Sequence, residues 1–235
     1  MVSWNPWHGC KKYSEGCKNC YVFRDDENYG RDPSKIVITK SFDLPIKRNR
    51  QKEYKYPTGT KFFTCYTTDF FLPEMKEERL KVLDIIKERS DCSFFIITKR
   101  IDLVDIDIPD NVEICCTIEN QKQFDYRWPI FNKLKAKHKS ICIEPLLEPI
   151  NLGNISVERI ICGGESGYGD SIRPCDEYWV RDLYIQAKKL NIPFCFKQTG
   201  TYFKRLNGEQ ITILRRDQYK EADKLRYQDF KIDEI

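Results

Sequence analysis

Six short apolar runs recur along this chain and leave it few architectures: KFFTCY (61–66), SFFIIT (93–98), EICCTI (113–118), SICIEP (140–145), RIICGG (159–164) and PFCFKQ (193–198). They are strand-sized and rich in β-branched and aromatic residues. They read as continuous apolar runs, the pattern of strands covered on both faces. Helical periodicities lie between them. In EMKEERLKVLDIIKERS, Leu80, Leu83 and Ile86 recur at helical spacing. Residues 122–138 repeat the idea with Phe124, Trp128, Phe131 and Leu134. Residues 176–190 do so with Val180, Leu183, Ala187 and Leu190, closed by Asn191 and Pro193.

Such strands separated by amphipathic helices predict an α/β fold with a parallel sheet. Connections 99–111 and 146–158 are too short for long helices, and a closed eight-fold barrel needs about 250 residues. The expectation is therefore a partial (β/α)6-type, TIM-like barrel over 1–204. Residues 205–235 are expected as a C-terminal appendage, with a hairpin at Asn207-Gly208.

Each apolar run ends in polar residues. Thr67-Thr68-Asp69, Thr98-Lys99-Arg100, and Thr117 with Glu119 and Asn120 follow the first three; Glu144, Gly163-Gly164-Glu165-Ser166-Gly167 and Lys197-Gln198 follow the others. In a parallel barrel these ends share one face, where active sites are built. The glycine pair before Glu165 permits close backbone approach, and that carboxylate could take a ligand amine or simply close a turn.

Ahead of the first run stands WNPWHGCKKYSEGCKNCYVF (4–23), with Cys10, Cys17 and Cys20 six and then two residues apart and His8 just before them. Eleven cysteines is an odd number and argues against a fully paired disulfide framework. The other eight sit in apolar runs and read mainly as small buried hydrophobes. The three clustered thiols admit two readings. One is a structural zinc completed by His8, although that needs two ligands separated by a single residue. The other is an iron–sulfur cluster with one iron left open for chemistry. Spacing alone leaves both standing. The start MVSWNPWHGC has no secretory signal pattern and no apolar run is membrane-sized, so a cytoplasmic protein without membrane contact is expected. A net charge of +4 does not by itself imply a nucleic-acid partner. The basic and aromatic stretch 47–63 is the one local candidate for a single-strand groove, against a solvated loop.

Three close cysteines in an N-terminal loop followed by a β/α barrel resemble the radical S-adenosylmethionine superfamily. The spacing here, C-x6-C-x2-C, differs from that superfamily's usual C-x3-C-x2-C. WNPWHGC…GCKNCY, TTDFFLPE, FIITKR, IEPLL, GGESG…RP…WVRDL and PFCFKQTG, over residues 3–203, resemble more closely a family of phage and bacterial proteins labelled as phage-type three-cysteine proteins. TTDFFLPE and ITKR are more weakly similar to the spore photoproduct lyase branch.

This resemblance implies a [4Fe–4S] cluster on Cys10, Cys17 and Cys20 and S-adenosylmethionine beside it. Tyr13 and Tyr21 would border the cofactor, and Lys99 would meet its carboxylate. Thr67 and Asp69 would lie near its amino group or ribose, with Thr117 and Glu119 continuing the site. Glu144, Glu165, Arg173 and Lys197 would face the substrate, with Glu144, Glu165 and Lys197 as the catalytic candidates. An external flavodoxin- or ferredoxin-like donor would reduce the cluster, and a 5′-deoxyadenosyl radical would abstract hydrogen from a substrate that nucleic acid could supply. A zinc-stabilised binding protein without catalysis and a nucleic-acid-binding module are the alternatives.

Overall fold

The computed structural model describes residues 1–231. Seven strands form one sheet, in the order β1-β4-β5-β6-β7-β8-β10, within an α/β fold of two compact units.

The first unit comprises Met1–Tyr13, Val22–Cys115 and Leu134–His138. It holds β1 (Val2–Trp4), β2 (Trp7–His8), α1 (Tyr21–Asn28, from its second residue), β3 (Val37–Ile38), β4 (Lys61–Thr64), α2 (Lys76–Glu88) and β5 (Ser93–Thr98). The partition falls inside β6 (Val112–Thr117), after Cys115. β1 pairs parallel with β4, and β4 parallel with β5; β2 and β3 form a small antiparallel pair. Trp4, Phe62 and Phe94 are almost wholly buried and pack ring to ring, Phe62 and Phe94 stacked at 5.2 Å. The pairing brings these rings together, since Phe62 lies opposite Phe94 and two residues before Thr64, the partner of Trp4, on the same face of the sheet. Each such ring contributes roughly 1.5–3 kcal/mol by leaving water.

α2 forms where expected, but its inner face is shifted from the predicted stripe. Val82, Leu83, Ile85 and Ile86 are buried, whereas Leu80 is 51% exposed. Arg79 takes the inward position instead. Its guanidinium donates to the Leu72 carbonyl at 3.2 Å and meets Asp105 at 2.9 Å, so the charge is buried with partners.

The second unit comprises Ser14–Tyr21, Cys116–Lys133 and the chain from Lys139 onward. It holds α3 (Gln121–Lys133), most of β7 (His138–Ile143), β8 (Ile160–Gly163), β9 (Cys175–Asp176), α4 (Glu177–Lys189), β10 (Phe194–Gln198), β11 (Tyr202–Lys204), β12 (Gln210–Thr212) and α5 (Gln218–Lys224). β7 pairs parallel with β8, and β8 parallel with β10. All four residues of β8 are buried, as a strand covered on both faces requires. α4 begins at Asp176, whose carboxylate accepts from the Tyr178 N–H, and it buries Val180, Leu183 and Ala187 as its periodicity predicts.

All six expected strands are present, with ends moved by one or two residues. β1 is the seventh. The hairpin at Asn207-Gly208 is also present, as β11 and β12. The tail beyond it, expected as an appendage, runs back along β10. Tyr227 O accepts from Phe196 N at 3.0 Å, and Asp229 N donates to Phe194 O at 2.7 Å. No helix among the described residues is long and apolar enough to cross a membrane.

Candidate functional site

The segment bearing the three cysteines connects β2 to α1. In the first unit its opening residues are tied down one by one. His8 Nδ1 meets Thr67 Oγ1 at 3.0 Å and Nε2 meets the buried Asp26 at 2.8 Å, while Arg31 takes the other Asp26 oxygen. Both ring nitrogens are therefore engaged, and His8 is already used where the zinc reading needs a fourth ligand. Thr68 Oγ1 donates to Gly9 O at 2.5 Å, and Cys10 N donates to Pro33 O at 2.8 Å. Gly9 has φ +95°, and a Cβ there would stand 2.6 Å from Lys35 O, so the turn before Cys10 requires glycine.

Asp69, just past β4, collects four donors from its own unit. Phe71 N and Thr98 Oγ1 reach Oδ1, while Lys99 N and Arg100 Nη1 reach Oδ2, at 2.8–3.2 Å. Arg100 also donates to Lys11 O at 2.5 Å and lies over the Tyr13 ring, whose hydroxyl bonds Asp102.

In the second unit, Ser14–Cys20 is held by two carboxylates. Glu119, fully buried, pairs with the equally buried Arg127 at 2.7 Å. It accepts from the Ser14 hydroxyl, and from Gly16 N at 3.3 Å. Glu165 accepts from Asn19 Nδ2 at 2.8 Å, from Arg173 N at 2.9 Å, and from the Arg173 guanidinium. Burial pushes the Glu165 carboxyl up, but those donors outweigh it and hold it below its usual range.

A third cluster lies at the ends of β7, β8 and β10. Glu144 Oε2 meets Lys197 Nζ at 2.8 Å and its Oε1 accepts from Gln198 Nε2 at 3.1 Å. A Cβ on Gly163 would fall on this carboxylate, so the bare β8 end lets Glu144 pass across it. Burial opposes both charges. The pairing prevails, lowering the Glu144 carboxyl and holding the Lys197 ammonium above its usual range. Lys197 is thus a fixed cation, unsuited to act as a neutral amine base.

The expected site residues fall into groups. Thr67 meets His8, and Glu144 and Lys197 stand together. Tyr21 opens α1 at 38% exposed, and Lys99 is half-buried. Thr117 is buried and its carbonyl accepts from Arg127. Asp69, Glu119 and Glu165 are turned to donors of the chain itself. Arg100, Arg127, Asn19 and Gly16 were not anticipated as parts of this framework. The available signal for Arg127 was a basic residue three places from Phe124 and four from Phe131, on the buried stripe of α3.

The cysteines also divide. None is in a disulfide, and all eight outside the segment are buried. Burial raises the thiols of Cys65, Cys162 and Cys175, keeping them neutral. Cys10 and Cys20 are the two that are not buried. Three reduced thiols on one segment are the donor chemistry of a cluster held by three thiolates. No group of three or more His, Cys, Asp or Glu side chains is gathered as a metal site among the described residues.

In the 47–63 stretch, Tyr54 lies between the guanidiniums of Arg48 and Arg89 at 4.1 and 4.2 Å, so its ring is already stacked within the chain. A surface cleft of about 650 Å³ lined by Gln121, Asn151, Asp182, Gln186 and Lys189 contains none of the expected site residues.

The sequence matches the family described as Protein of unknown function (DUF5131) over residues 1–230. The chain belongs to that family. The DUF5131 match spans both units and the whole cysteine segment. Comparison with curated proteins and with solved structures finds no match.

Proposed function

We propose that this chain is a radical S-adenosylmethionine enzyme of the cytoplasm, its sheet a partial barrel and its β2–α1 segment a cluster loop bearing Cys10, Cys17 and Cys20. The observation that carries the reading is the placement of the thiols: nine of the eleven are buried, Cys17 among them, and the two that reach the surface, Cys10 and Cys20, both lie on the same short segment as Cys17. Bound to these thiolates, a [4Fe–4S] cluster with S-adenosylmethionine supplies reductive cleavage of a sulfonium C–S bond, and with it hydrogen-atom abstraction.

The chain's own residues have separate tasks. Lys99 offers a cation to the cofactor carboxylate, while its backbone is anchored on Asp69. Thr67 and Tyr21 border the same region. Glu144 and Lys197 form the charged group that meets substrate, as an anion and a cation with fixed protonation at neutral pH. An external one-electron donor is required, and the substrate is open, nucleic acid included.

The reading is tested by the metal content of Cys17→Ala. After anaerobic reconstitution the unaltered protein should hold iron and sulfide in equal amounts, and the variant should hold almost none while keeping its melting temperature. Equal iron in both proteins would remove Cys17 from the site.

A further inference from the structure

We infer that Glu119 and Glu165 are positioning residues that clamp the thiol-bearing turn Ser14–Cys20 from its two ends, and that neither acts on substrate or cofactor. This deepens the proposed function and rests on it for the nature of the metal.

At the first end, Glu119 Oε1 accepts from the Ser14 hydroxyl and from Gly16 N, and Oε2 is bound to Arg127. The approach is possible because residue 16 is glycine: a Cβ there would lie 3.0 Å from the Glu119 carboxyl carbon. At the other end, Glu165 Oε2 takes Asn19 Nδ2 together with the Arg173 backbone and Nε, and Oε1 takes Arg173 Nη2. Asn19 also donates to Ser171 O at 2.8 Å, and Arg173 to Glu15 O at 3.2 Å, which ties the middle of the turn.

A carboxylate has about four lone-pair directions. Glu165 has four donors, and Glu119 accepts from Ser14, Gly16 and Arg127 while bearing no exposed surface. Their bonding capacity is shared between the turn and the arginines behind it, Arg127 for Glu119 and Arg173 for Glu165. Cys17 lies between the two clamps, 8% exposed, with its N–H on Ser14 O and its carbonyl accepting from Cys20 N. Thiols held in this way lose less freedom when they bind a metal, the advantage of a preorganised ligand set.

Ser14→Ala and Asn19→Ala remove the turn's side of each clamp and leave the Glu119–Arg127 and Glu165–Arg173 pairs intact, so both variants should fold. The probe is iodoacetamide on the metal-free full chain, with alkylation of each cysteine followed by mass spectrometry. In the double variant the Cys17 rate should rise about tenfold or more, since the hydrogen bonds that Ser14 and Asn19 give to Glu119, Glu165 and Ser171 are lost together. Cys10 should be unchanged, the melting temperature should fall by only a few degrees, as about 2–4 °C per kcal/mol implies for a chain of this size, and Ser14→Thr should react like the unaltered protein. A Cys17 rate unchanged in the double variant would overturn the clamp. If the unaltered chain takes up no cluster, the enzymatic reading falls, yet the alkylation rates still decide the clamp. If it takes up a cluster while the variants alkylate normally, only the clamp falls.

Discussion

Glu144 and Lys197 show how a single pair sets both charge and stability. For Glu144 the native carboxyl is lowered, so its contribution is present above the usual carboxylate range and is lost as pH falls through the native value. For Lys197 the native ammonium is raised, so its contribution is present below the usual lysine range and is lost only as pH rises beyond it. Near neutrality both are complete. Lys197→Met leaves the carboxylate in a largely buried place without its cation, which should cost roughly 1–3 kcal/mol. Burial then raises the Glu144 carboxyl, and protonation relieves it. Urea unfolding should therefore show a stability gap from the unaltered protein that is larger at about pH 8 than at about pH 5. A gap of equal size at both pH values would mean that the pair is not the source. Residue identity alone told little of these assignments. Asp69, Glu119 and Glu165 were legible as polar strand ends, but a carboxylate that binds a ligand and one that binds its own chain look alike in sequence. What separates them is the donor on the far side, such as Asn19 or Arg127, and that donor is distant along the chain.

At the scale of elements, apolar runs announced six strands because parallel strands buried on both faces leave a clear signature. β1 escaped because three residues, Val2–Trp4, are too few to show any period. The inner face of α2 was misplaced by one position, since Arg79 satisfies its guanidinium internally and so occupies a site that hydrophobicity assigns to leucine. The tail was opaque for a related reason: its charged residues suggest solvent, while it binds β10 through its backbone and through the Asp229 carboxylate. Gln218, 2% exposed, accepts from the Ser166 hydroxyl at 2.6 Å, and the Tyr227 ring lies 5.7 Å from that of Tyr184. Ending the chain after Ile213 should strip β10, α4 and the loop after β8 of these partners. A loss of about 3 kcal/mol would lower the melting temperature by about 10 °C and expose an edge prone to association. A truncated protein that melts like the full chain would show that the tail is dispensable.

For the molecule as a whole, strand-end polarity and the cysteine segment were both visible before any coordinates, and membership of the DUF5131 family covers both. The coordinates change how the two are related. Within the first unit, Thr67, Thr68 and Arg100 hold residues 8–11; within the second, Glu119 and Glu165 hold Ser14–Cys20. Much of the polar framework therefore shapes the thiol segment, while Glu144 and Lys197 are paired with each other at the ends of β7 and β10. Both ring nitrogens of His8 are engaged, and the Tyr54 ring is stacked against the Arg48 and Arg89 guanidiniums. The central claim is tested most directly by reconstituting the full chain anaerobically with iron and sulfide, adding dithionite and S-adenosylmethionine, and measuring 5′-deoxyadenosine. The account predicts about four irons per chain, the stoichiometry of a [4Fe–4S] cluster, and 5′-deoxyadenosine that disappears in Cys17→Ala. A protein that retains zinc, takes up no iron and releases no 5′-deoxyadenosine would contradict it.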